Sequence, residues 1–273
     1  MRRQLRELDR WYAAQAASRR SRGESWRRFV VTSLTSVVGV VAALVVLHDH
    51  GIVLTLDGIG RRVGLGPAVA ADGAGSFEFM ATQRGRPGVP VTYDPCRPIH
   101  VVVNDELAPS VADELLDSAL AKVAGATGLE FVRDGATDEL PSRDRPLRDP
   151  GRYGRGWSPV LVAWTTPSVN PGLAGTVVGL GGSTRIADPV TGRSRYVTGA
   201  VSLDTATMEK VLRRPDGVAQ ARAILMHELG HVVGLTHVQD RGELMWDSNA
   251  GRTEFGAGDL QGLAALGRGL CGP

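Results

Sequence analysis

The sequence predicts an α+β domain, a mixed twisted sheet carrying two major helices and a shorter C-terminal helix, preceded by one membrane-crossing helix. Three observations predict it. Apolar residues recur at helical spacing over 110–126 and 217–233. Short runs rich in β-branched residues, 99–103, 129–132, 160–164 and 196–203, stand before, between and after the first of these, bounded by Gly, Pro and Asp. Residues 29–47 form a run of nineteen without a charge.

Residues 1–28 hold nine arginines and three acids, a local balance of +6. Such an excess marks the cytoplasmic side of a membrane. As a helix, 29–47 would be about 28 Å long, enough to cross a bilayer core. The expectation is therefore a basic cytoplasmic tail (1–28), a transmembrane signal anchor (29–47), a Gly/Ala/Val-rich linker (48–75) and an extracellular domain (76–273). The protein would sit in the cell membrane as a single-pass chain. The alternative is secretion after cleavage near Ala68-Val69-Ala70, the nearest small-residue processing pattern. The chain beyond residue 28 has 22 basic and 26 acidic residues, so the overall pI near 8.7 belongs to the tail. Nothing in that balance points to a nucleic-acid partner.

Within the outer domain, 76–93 reads as a hairpin turning at Gly85-Arg86-Pro87-Gly88. A buried-type strand follows at 99–103. The helix over 110–126 buries Val111, Leu115, Leu116, Ala119, Leu120 and Val123, with Pro109 and Ser110 suited to its start and Gly125 or Gly128 to its end. Residues 134–158 are rich in Asp, Arg, Pro and Gly and read as a long surface loop. The helix over 217–233 starts after Pro215 with Asp216 as N-cap, and its apolar residues face more than one side, as in a helix buried in a core. The last helix spans 258–267, with Asp259 as its cap or first-turn acid. Both cysteines, Cys96 and Cys271, lie in the outer domain, where an oxidising compartment would join them. Closing so long a loop contributes about 4–5 kcal/mol in the chain-entropy model.

The most specific feature is His227-Glu228-Leu229-Gly230-His231-Val232-Val233-Gly234-Leu235-Thr236-His237. Three of the chain's six histidines fall in this window. His227 and His231 are four apart, so both rings project from one helix face. Gly234 can take positive φ, end the helix and turn the chain so that His237 joins them. Three imidazoles suit one zinc ion and leave a fourth position open, the catalytic rather than the structural arrangement. Glu228 lies one step round the helix, out of easy ligand reach but close enough to act on a water.

This HExxHxxGxxH pattern resembles the metzincin zinc peptidases. Met245, eight residues after His237 within Glu243-Leu244-Met245-Trp246, is similar to the Met-turn of their matrixin (matrix metalloproteinase-like) branch. The segment 258–267 resembles the matrixin C-terminal helix, in which an acid at the position of Asp259 braces the Met-turn. The resemblance implies a matrixin-like catalytic domain in which 217–233 is the active-site helix, with one catalytic Zn²⁺ on His227, His231 and His237, and Glu228 as general base. It further implies that 173–180, opening with Leu173, Ala174, Gly175, Thr176 and Val177, forms a cleft-rim strand with which a peptide substrate pairs; the alternative is an ordinary loop or edge strand. The motifs lie within 227–267. Val238 stands where matrix metalloproteinases usually have Ser, and Trp246 where a Pro is close. Cys96 does not sit in a cysteine-switch sequence, and no histidine between 101 and 226 offers the family's structural second zinc site. Calcium is common in the family, but the candidate acids Asp188 and Asp204 show no calcium-loop spacing.

The function so implied is hydrolysis of internal peptide bonds outside the membrane. Two alternatives stay open: a zinc-binding surface interaction or sensory protein with little turnover, and a zinc hydrolase of cell-wall peptides.

Overall fold

The computed structural model describes residues 75–248 and 251–271. The chain enters through β1 (Glu78–Phe79), β2 (Thr82–Gln83) and β3 (Arg86–Pro90), then β4 (Ile99–Asn104). Next come α1 (Ala112–Thr127), β5 (Phe131–Ala136), the single turn α2 (Pro150–Tyr153) and β6 (Val160–Thr165). A 3-10 turn (Pro171–Leu173) leads to β7 (Gly179–Ala187) and β8 (Ser194–Asp204). The chain ends with α3 (Thr205–Leu212), α4 (Gly217–Val233), β9 (Leu235–Thr236) and α5 (Ala257–Leu266).

Five strands form the main sheet in the order β5-β4-β6-β8-β7. The first four run parallel, and β7 is antiparallel to β8 at one edge. This is a mixed α/β fold, which corrects the α+β expectation. The crossover from β4 through α1 and the long return from β5 to β6 each bring the chain back to the same end of the sheet, so those neighbours must run parallel.

The core lies on one face of the sheet. Val101, Val103, Val162, Trp164, Val201 and Leu203 meet α1 and α4 through Leu116, Val123, Leu225 and Leu229. The other face, with Val102, Leu161 and Ala163, is smaller and packs against Tyr153. Its cover comes from the segment that reads as a surface loop. Arg145 donates two hydrogen bonds to the Glu139 carboxylate (2.7 and 2.9 Å) and a third to Thr198 on β8 (2.7 Å). Tyr153 Oη donates to Glu139 as well (2.6 Å). Burial alone would raise the Glu139 pKa, but the hydrogen bonds from Arg145 and Tyr153 hold it below the ordinary value. The Arg145 side chain is only 7% exposed and that of Glu139 13%, so this pair clamps the loop to the sheet largely out of water. Arg145→Ala strands the carboxylate and is expected to cost about 3–5 kcal/mol in urea unfolding. Replacing both residues by apolar ones of similar size is expected to restore most of that loss; no recovery would mean that the clamp acts through something other than the stranded charge.

Cys96 and Cys271 are joined by a disulfide across 175 residues, tying the chain just before β4 to the chain after α5.

Among the described residues no helix is long and apolar enough to cross a membrane. On that finding the membrane-crossing helix in the expected fold, the single-pass anchor and the cell-membrane localisation with a cytoplasmic N-terminus are not supported. The longest described helix, α4, has 17 residues and is built into the domain core. The expectation rested on 29–47, which lies outside the described residues, as do 1–28 and the linker to residue 74. A charge-free run is a signal of composition, and Thr32, Ser33, Thr35 and Ser36 make the first half of this one polar.

Candidate metal centre

Helix α4 carries the first two histidines. His227 and His231 project toward one point, and α4 ends at Gly234, whose φ is 122°. Its N–H closes the last turn on Gly230 O (3.1 Å). A Cβ there would also crowd Leu266 Cδ2 (2.9 Å) and Tyr196 Cε2 (3.0 Å), but it is the backbone conformation that calls for glycine. Asp216 occupies the N-cap position, but its side chain makes no capping bond. Beyond Gly234, β9 pairs with β1 (Glu78 against Thr236), and this short ladder delivers His237.

The His237 Nε2 atom lies 3.0 Å from His227 Nε2 and 3.1 Å from His231 Nε2. The other ring nitrogens face carbonyls: His227 Nδ1–H donates to Leu244 O (2.8 Å) and His231 Nδ1–H to Leu235 O (2.9 Å). A carbonyl accepts only, so each Nδ1 carries the proton and each Nε2 presents its lone pair to the shared point. Burial lowers the pKa of both His227 and His231 to about 4, and the neighbouring imidazoles push the same way. Lone pairs converging from neutral rings, with backbone bonds fixing their orientation, match what a cation needs. The three histidines form a group that can hold a metal ion.

The Glu228 side chain lies against β7, beside Gly179. It is 6% exposed, and burial raises its pKa to about 8, against the pull of the Gly181 N–H on its carboxylate. Met245 is 1% exposed and packs against Gly230, which directly precedes His231; a Cβ at Gly230 would stand 2.7 Å from its sulfur. Val238 N–H donates to Met245 O (3.0 Å), tying the strand that carries His237 to the turn that carries Met245.

Two buried acids secure that turn. Asp259, wholly buried, accepts from the N–H groups of Leu244, Met245 (3.3 Å) and Gly256 (2.9 Å). Glu243 accepts in return from Gly258 N–H (3.0 Å) and Asp259 N–H (2.8 Å). Sequence reasoning missed Glu243, although it directly precedes the Leu-Met pair.

The proposed rim residues lie elsewhere than expected. Leu173 is buried in the 3-10 turn that Pro171 and Asn170 start, with Asn170 Oδ1 accepting from Gly172 N–H (3.2 Å). Ala174, Gly175 and Thr176 are exposed and Val177 is half-buried, in a turn outside any strand. The edge strand starts only at Gly179, near the end of the expected rim segment 173–180. Of the calcium candidates, Asp188 accepts from Val190 and Thr191 at a hairpin turn, and Asp204 accepts from Thr207 at the start of α3.

No family model matches the chain, and no curated protein matches it. Among solved structures the chain is similar to the crystal structure of archaemetzincin from Methanopyrus kandleri, at 19% identity over 63% of this chain and 88% of that one. The TM-score is 0.33, too low for the likeness to bear on fold or function.

Proposed function

We propose that residues 76–273 form a zinc-dependent endopeptidase domain. The observation that carries the reading is the pairing of two oriented imidazoles, joined by His237 at a shared point, with a buried carboxylate on the helix that carries those two. His227, His231 and His237 would hold the zinc ion. When bound, zinc supplies Lewis acidity, making water a better nucleophile near neutral pH and polarising a carbonyl.

The chain's own residues do the rest. Glu228 takes the proton of the attacking water and returns it to the amine that leaves, which its raised pKa suits. Met245, packed under Gly230, gives the histidines an apolar floor that excludes water from below. The β7 strand, antiparallel to β8 on one side, offers its other edge to an extended peptide, which would pair through backbone groups. Such pairing reads no side chains, so the preferred cleavage sequence would come from pockets flanking the centre.

The test uses the full-length chain. Zinc content near one per chain is expected, together with cleavage of a broad peptide library. Chelation should abolish both, and added zinc should restore both; His237→Ala should lose both without unfolding. Zinc without cleavage of any peptide would replace this reading with that of a zinc-binding interaction protein. A folded chain that holds no zinc would remove the reading altogether.

A further inference from the structure

We propose that Gly179 is a positioning residue for the Glu228 carboxylate, an inference that rests on reading Glu228 as the general base. Along β7, alternate residues face α4, as a strand requires. Gly179 meets the Glu228 side chain, Gly181 meets the Glu228 backbone, and Ser183 Oγ donates to Val232 O (2.7 Å). Five residues of helix (228–232) thus run beside five of strand (179–183), with no side chain between them at the first two inward positions.

The two glycines do different work. A Cβ at Gly181 would stand 2.2 Å from Glu228 O, so Gly181 sets how closely the strand approaches the helix. A Cβ at Gly179 has as its three nearest atoms only side-chain atoms of Glu228: Cγ at 2.8 Å, Oε1 at 2.8 Å and Cδ at 2.9 Å. Gly179 is not among the glycines with positive φ, so alanine fits its backbone. The missing side chain at 179 is therefore the slot the carboxylate occupies, and the Gly181 N–H holds it there. A methyl group at 179 pushes the base off that hydrogen bond while leaving the strand's backbone and the three imidazoles in place.

Gly179→Ala and Gly181→Ala are made in the full-length chain, each alone and combined with Glu228→Ala, and assayed for bound zinc, melting temperature and peptide hydrolysis. Gly179→Ala should lower kcat by about 100-fold, with KM within about twofold and zinc content unchanged. Its melting temperature should fall in the parent chain but not beside Glu228→Ala, where the colliding side chain is gone. Gly181→Ala should lower the melting temperature in both backgrounds, because its collision is with backbone. The proposal is overturned if Gly179→Ala keeps kcat within about threefold of the parent, or if its melting loss is the same with and without the Glu228 side chain. Should the parent chain hydrolyse nothing, the functional reading fails, while the melting comparison still decides whether Gly179 houses the Glu228 side chain.

Discussion

Glu228→Gln should lower peptide hydrolysis by about 10²–10⁴-fold while the chain keeps its zinc. Glutamine has the shape of glutamate, and its amide oxygen can still accept the Gly181 N–H, so the packing between β7 and α4 survives. What it lacks is a basic oxygen. Zinc retention follows from how the imidazoles are held: His227 and His231 are oriented by Leu244 O and Leu235 O, and neither bond involves Glu228. Removing a carboxylate that is only 6% exposed and has no ion pair should leave the melting temperature unchanged or higher. Steady-state kinetics on a cleaved peptide, with zinc analysis of the same sample, checks both parts. Activity above about a tenth of the parent's would remove Glu228 from the role of base.

The elements that carry the histidines are legible in the sequence because their local rules agree. Over 217–233 the apolar period, the HExxH spacing and the following glycine all point to one buried helix, and α4 spans those residues. Other parts are hidden for physical reasons. β7 begins Gly-Leu-Gly-Gly, whose start is hard to place from sequence because glycine has little strand preference. Its glycines are there for close approach to α4, a need that arises only once the helix is packed. Helix α3 follows β8 with no Gly or Pro between them, and with only Met208 and Val211 buried it offers too few apolar residues to show a period. The loop 134–158 reads as solvated because it is charged, yet Arg145 and Glu139 neutralise each other against the sheet. That pairing depends on Thr198, some fifty residues further on. The expected membrane helix rested on composition alone, a charge-free run after an arginine-rich segment, and it lies outside the described residues.

Asp259 shows how far a partly legible residue can reach. Its place near the start of the last helix can be read from sequence; its grip on a turn fifteen residues earlier cannot. Asp259→Ala leaves three buried N–H groups, those of Leu244, Met245 and Gly256, without an acceptor. At about 1–3 kcal/mol for each unsatisfied group, and with partial relaxation, a total loss of about 3–5 kcal/mol is expected in urea unfolding. The same change should weaken zinc binding by about 10–100-fold, because Leu244 also supplies the carbonyl that orients His227. Asp259→Asn keeps one acceptor oxygen and should fall between the parent and alanine in both measurements. Its pH profile gives a separate check. Burial raises the Asp259 pKa from 3.8 to about 6, although the backbone N–H groups pull it down. Between those values the folded chain holds a proton that the unfolded chain has released, so this group's contribution to stability falls as pH rises from about 4 to about 6. Asparagine does not titrate, and its variant should lack that slope. Parallel stability profiles for the parent and Asp259→Asn across this range would mean that the carboxylate is ionised throughout, held by its three N–H donors against the cost of burial.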